Sequence, residues 1–158
     1  MRKSFVVAIA FSLIVSCPSF TQTHKSMKKA AAAGPDRAYM QQIWDGWSTL
    51  DPSHVAQFYA SGPHVFFDIA PLKYANWTEY ESGVKNVLAG FQSAKLTVND
   101  DAEVHKHGDL VWGTATVKEE AVMKGGKHEM GNFRWTVIWE NQNGKWLIIH
   151  EHVSEPMP

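Results

Sequence analysis

The sequence predicts an α+β domain in which three short N-terminal helices pack on a strongly curved antiparallel β-sheet. Three observations carry this. Apolar residues recur at three- and four-residue spacing between Asp36 and Gly90; from Ala94 onward they alternate with polar ones; and the two patterns do not interleave as a parallel βαβ sheet would require. The chain has 158 residues, which after its N-terminal segment leaves one domain's worth of core.

Asp36 is a capping residue, and Tyr39, Ile43, Trp44, Trp47 and Leu50 follow on one apolar face, predicting a first helix to about Leu50. Asp51-Pro52 restarts the chain with a cap and a proline at the first helical position. Val55, Phe58 and Tyr59 then form the inner side of a short second helix, ended by Ser61-Gly62-Pro63. His64 to Ile69 reads as a short strand, followed by a loop that carries Tyr74 and Trp77 toward its end. Thr78 and Glu81 have capping-box spacing for a third helix, with Tyr80, Val84, Val87 and Leu88 inside and Gly90 closing it.

Beyond Gly90 the period is two. Ala94, Leu96 and Val98 alternate with polar residues, Asn99-Asp100-Asp101 turns the chain, and a weaker strand around Val104 ends at Gly108-Asp109. Three longer strands follow, Leu110 to Met123, Lys127 to Glu140 and Lys145 to Val153, separated by Gly125-Gly126 and by Asn141-Gln142-Asn143-Gly144. Trp135, Val137 and Trp139 alternate with Arg134, Thr136 and Ile138, so both faces of that strand carry apolar groups. A second copy of the chain on the outer face, a homodimer through the sheet, is one way to cover it.

The N-terminus reads as a secretory signal over residues 1–20. Met1-Arg2-Lys3 is its positive region and Phe5 to Val15 its apolar run, about half the roughly 20 residues that span a bilayer. Ile14-Val15-Ser16-Cys17 resembles a bacterial lipobox, which would make Cys17 a lipid anchor; the other reading is a signal cut at small residues such as Ser19 or Thr21. Both readings imply export to the periplasm or beyond. Residues 21–35, polar and then Ala-rich, form a leader, and residues 36–158 the domain. Cys17 is the single cysteine, so no intrachain disulfide is available. Without Arg2 and Lys3 the formal charge of −1 becomes −3, with both signs dispersed, which excludes a nucleic-acid-binding stripe.

Phe133-Arg134-Trp135-Thr136, then Asn143-Gly144-Lys145-Trp146, then His150-Glu151-His152-Val153-Ser154 resemble the closing strands of the SnoaL-like and nuclear transport factor 2-like superfamily. Phe58-Tyr59-Ala60 and Val65-Phe66-Phe67-Asp68 resemble its second helix and first strand. The resemblance implies a cone with an internal pocket, shared by enzymes such as ketosteroid isomerase, by binding domains and by assembly modules, so fold alone does not name a reaction. Against the isomerase pattern, Asp68 falls about one residue beyond the base position. Ile43 stands where the helix tyrosine would, and Arg134 and Thr136 stand near the place of the second oxyanion donor.

His150 and His152, two apart in a strand, are expected on one face with Trp146, Ile148 and Ser154, and Glu151 on the other. Asp68 ends an apolar segment, where desolvation would raise a base. The expected catalytic set is Asp68 and His152 as acid and base, with Arg134 stabilising developing negative charge. Trp44, Tyr74, Trp77, Trp112, His150 and Ser154 are the expected ligand contacts. His105, His107, His128, Glu103 and Glu129 offer further donors beside His150 and His152, but the spacing defines no metal site and none is assigned.

The function expected on these grounds is an exported pocket protein, an isomerase, lyase or cyclase that moves a proton on a small apolar or acidic metabolite without a cofactor. The alternative is a non-catalytic ligand-binding or oligomerisation module of the same fold.

Overall fold

The computed structural model describes residues 34–69 and 71–157. The signal, the lipobox at Cys17 and nearly all of the leader lie outside the described residues. Among those described, no helix is long and apolar enough to cross a membrane.

Helix α1, Arg37–Ser48, begins where the Asp36 carboxylate accepts from the Tyr39 backbone N–H at 2.8 Å. Met40, Ile43, Trp44 and Trp47 form its buried face. A 12-residue helix is marginal in water, and each buried side chain of this size contributes about 1.5–3 kcal/mol, so packing holds α1 in place. The helix stops short of the predicted end because the chain reverses at Leu50, which has φ +62°. The predicted second helix is a pair of 3₁₀ turns, Pro52–His54 and Ala56–Phe58, the first capped by Asp51 with Pro52 at its start.

Helix α2, Trp77–Leu88, starts earlier than Thr78-Glu81 predicts. Asn76 accepts from the Glu79 N–H at 3.0 Å while Glu79 reaches back to the Ala75 N–H at 2.9 Å, so the reciprocal cap is Asn76 with Glu79. Gly83 is required midway along α2, since a Cβ there would overlap the Tyr74 ring.

The strands are β1 (Phe66–Phe67), β2 (Phe91–Val98), β3 (Glu103–His107), β4 (Leu110–Met123), β5 (His128–Gln142) and β6 (Lys145–Ser154). They form one open sheet in the order β1-β6-β5-β4-β2, with β3 also paired to β4. The long edge of β4 is thus shared, Val117–Met123 by β2 and Leu110–Thr114 by β3. The sheet is mixed and not purely antiparallel, because β1 lies parallel to β6. β1 is only two residues long, and the free side of Phe66 is taken by Tyr74 through two backbone hydrogen bonds of 2.9 and 3.0 Å.

α1 protects the outer edge of β2. The Gln41 side chain donates to the Leu96 carbonyl at 3.0 Å and accepts from the Val98 N–H at 2.8 Å, the Ser48 hydroxyl accepts from Leu96 N–H, and Arg37 donates to the Val98 carbonyl. These bonds satisfy backbone groups that an edge strand would otherwise present for aggregation. Gln41→Leu is expected to lose about 1–3 kcal/mol of stability by leaving both β2 groups without a partner. Urea unfolding checks this, and an unchanged midpoint would show that water replaces the amide at no cost.

One irregularity positions the site. In the β5–β6 ladder Ile138 faces His150 and Trp139 faces Ile148, so Ile149 is an extra residue. Such a bulge reverses the phase of alternation. Before it Trp146 and Ile148 are buried; after it Glu151 and Val153 are. The expectation that His150, His152 and Ser154 share a face with Trp146 and Ile148, leaving Glu151 opposite, is therefore corrected.

Candidate functional site

Alternation along β4, β5 and β6 makes the site. Val111, Ala115 and Val117 on β4, and Phe133, Trp135, Val137 and Trp139 on β5, point into the core. Continuing the same phase brings Glu119 and Glu129 to the inner face at the far end of the sheet, and β6 adds Glu155 just beyond its last residue. Glu119 faces Gly131, two residues from Glu129, so the two carboxylates are diagonal neighbours. Gly131 makes room for this, since a Cβ there would lie 3.2 Å from a Glu119 oxygen.

Between this part of the sheet and the helices is a cavity of about 280 Å³. Its apolar wall includes Trp44, Trp47, Val84, Leu96 and Phe133, and its polar groups come from Asp68, Tyr80, Glu119, Glu129 and Glu155. Trp44 stacks on Phe133 with ring centres 6.3 Å apart. The indole N–H of Trp44 is buried and finds no acceptor among the described residues. Burial raises the pKa of Asp68, opposed by the Ile69 N–H that donates to it at 2.8 Å. Glu119 is raised by burial and further by the charges of Glu129 and Glu155.

Behind this wall lies Glu151, 1% exposed. Tyr59 donates to one carboxylate oxygen at 2.7 Å and the Trp135 indole to the other at 2.8 Å, and the nearby Tyr80 hydroxyl also favours the charged form. Trp47 donates its indole N–H to the Tyr59 oxygen at 3.2 Å. Desolvation pushes Glu151 up to about 7 against the pull of these donors, and Asp68 adds to the rise. The same burial, with Glu151 beside them, puts Tyr59 and Tyr80 well above the usual phenol range, so both stay neutral. Tyr80 lines the cavity and touches Glu151, so it joins the two.

Of the residues expected as catalytic or as ligand contacts, Asp68 and Trp44 line this cavity, as does Glu129, named above among the further donors. Tyr74 and Trp77 belong to the aromatic cluster alongside it, Trp77 stacking on Tyr59 at 4.3 Å and Tyr74 meeting Tyr80 at 5.0 Å. His152 and Arg134 are exposed on the opposite face, where the bulge and the outward phase of β5 put them, and Arg134 donates to the Glu155 carbonyl at 2.7 Å. The structure does not bring either to Asp68. His150 sits against Phe67 with its Nδ1 2.7 Å from the Val65 carbonyl, and Ser154 pairs with Arg134 outside the cavity. Trp112 is 45% exposed and stacks on His105. No group of three or more potential metal ligands occurs among the described residues.

Sequence reasoning missed Glu151, Tyr80, Glu119 and Glu155. The inward phase of Glu129-Gly131-Phe133-Trp135 was a usable signal for the acidic end of the cavity. Glu151 had none, since its orientation depends on the bulge.

Comparison with solved structures supports the same architecture. The chain is similar to a nuclear transport factor 2-like superfamily protein from Salmonella enterica serovar Typhimurium, with TM-score 0.67 and 17% identity over 77% of this chain and 92% of that one. It is similar to a Xanthomonas campestris protein named "putative calcium/calmodulin dependent protein kinase II association domain", with TM-score 0.66 and 24% identity over 82% of this chain and 94% of that one. A "putative dehydratase" of the NTF2-like family from Streptomyces avermitilis matches with TM-score 0.65 and 12% identity over 77% of this chain and 95% of that one. At these identities the likeness establishes the fold alone. No curated protein matches the sequence. The SnoaL-like domain family matches residues 37–158, and the chain therefore belongs to that family.

Proposed function

We propose that this is an exported pocket protein that acts as an isomerase or dehydratase, moving a proton on a small apolar substrate with its own carboxylate as base. The observation that supports it best is Asp68, a desolvated carboxylate in the wall of an otherwise mostly apolar cavity. Its raised pKa brings it nearer the working range of a general base. The neutral Tyr80 hydroxyl is the partner suited to negative charge developing on a substrate oxygen. His152 and Arg134 have no part in this scheme, since both face away from the cavity. The carboxylates in the wall also disfavour the acidic branch of the substrate class.

The test is exchange of solvent deuterium into a neutral carbon acid that fits the space, 1-tetralone, followed by NMR with the full chain. Catalysed exchange at the carbon next to the carbonyl is the expected result. Exchange at the buffer rate, for this ketone and for cyclohexanone, would count against proton transfer as the activity. Export and pairing of two copies through the outer sheet face belong to the same proposal. N-terminal sequencing of protein recovered outside the cytoplasm tests the first, and sedimentation at micromolar concentration the second.

A further inference from the structure

The charge of the cavity wall is one-sided. Asp68, Glu119, Glu129 and Glu155 all contribute to it, and no lysine, arginine or histidine does. Lys127 pairs with Glu129 at 2.8 Å from the exposed side, while Asp68, Glu119 and Glu155 make no ion pair among the described residues. Arg134 reaches the backbone carbonyl of Glu155 and not a carboxylate. The rest of the wall is aliphatic and aromatic, with the faces of Trp44 and Phe133 nearly parallel, 17° apart.

Half-buried carboxylates beside apolar surface with no cation paired to them, as Asp68 and Glu119 are, are costly, and that cost sets which occupant the site favours. An anion would add to the repulsion that already acts on Glu119 from Glu129 and Glu155. A neutral molecule would bury the apolar wall and leave the repulsion as it is. A cation removes the repulsion and also gains from the aromatic rings, which attract positive charge.

We propose that the cavity selects small hydrophobic organic cations, aryl- or alkylammonium compounds whose apolar body packs on Trp44 and Phe133 while the ammonium meets Glu119 and its acidic neighbours. This rests on the pocket reading above and adds the substrate class to it.

Three compounds of one shape separate the two ideas: 3-phenylpropan-1-amine, 3-phenylpropan-1-ol and 3-phenylpropanoate, titrated calorimetrically into the full chain at pH 7.5 and low salt. The amine is expected to bind at one site at least tenfold more tightly than the alcohol, and the carboxylate most weakly. Glu119→Gln and Glu129→Gln, each checked for native circular dichroism, should each cut the preference for amine over alcohol at least threefold and leave alcohol affinity unchanged. Equal binding of amine and alcohol would overturn the cation preference and leave the pocket reading intact. An amine preference that survives both substitutions would overturn the assignment of its source. If neither amine nor alcohol binds, the pocket reading falls along with the cation preference.

Discussion

Glu151→Ala is expected to lower the stability of the domain by about 3–5 kcal/mol, the largest effect of any single replacement outside the apolar core. The change deletes the common acceptor of Tyr59 and Trp135, beside Tyr80, in a region closed to water. Each buried donor left unpaired costs about 1–3 kcal/mol, and the two losses are not simply additive because the side chains can shift into the space that opens. A drop of this size is typical of a broken buried polar network. Urea unfolding at pH 7 measures it, and a loss below about 1 kcal/mol would mean that the network is replaced by water without consequence.

The same carboxyl sets a pH dependence whose sign follows from linkage. Its pKa is raised from 4.5 to about 7, so between those values the folded state holds a proton that the unfolded chain has lost. Stability contributed by this group is full below about pH 4.5, falls as pH rises toward 7, and is constant above that. The fall is of the order of 3 kcal/mol at about 1.4 kcal/mol per pKa unit. Glu151→Gln has nothing to titrate, so its stability curve should lack this slope, and the difference between the two proteins isolates Glu151 from Asp68 and Glu119, which are displaced in the same direction. Parallel curves for wild type and Glu151→Gln from pH 4.5 to 7 would place the titration elsewhere.

Asp68→Asn is expected to reduce the deuterium exchange rate by a factor of about 10² to 10⁴, the range usual for a positioned general base. The replacement keeps the shape and the acceptor for the Ile69 N–H while removing the basic oxygen. Affinity for 1-tetralone should change little, so the loss should fall on the rate at saturation. His152→Gln and Arg134→Ala are the controls, since both lie outside the cavity wall. Retained exchange in Asp68→Asn, or a comparable loss in His152→Gln, would move the base to another residue.

The amino-acid order by itself determined much of the architecture. The 3.6-residue period before Gly90 and the two-residue period after Ala94 set the helices and strands, because each pattern can bury its apolar residues in only one kind of element. Asp36 and Asp51 act as caps because the hydrogen bond they make is local. Glycine and asparagine between the long strands mark both turns, with Gly125, Gly126, Asn143 and Gly144 all at positive φ. The match of β4 and β5 to their predicted ranges within two residues reflects these same local signals.

Tertiary structure decided the rest. β1 shrank to two residues and lay parallel to β6 because both of its edges are claimed by distant segments, His152 and its neighbour on one side and Tyr74 on the other. The site turned on Ile149, whose insertion into the ladder moved Glu151 inward and His152 outward. Nothing local marks that residue as a bulge. It is fixed by register with β5 and by the Tyr59 and Trp135 donors, contributed by two separate segments, that are satisfied only when a carboxylate is delivered between them.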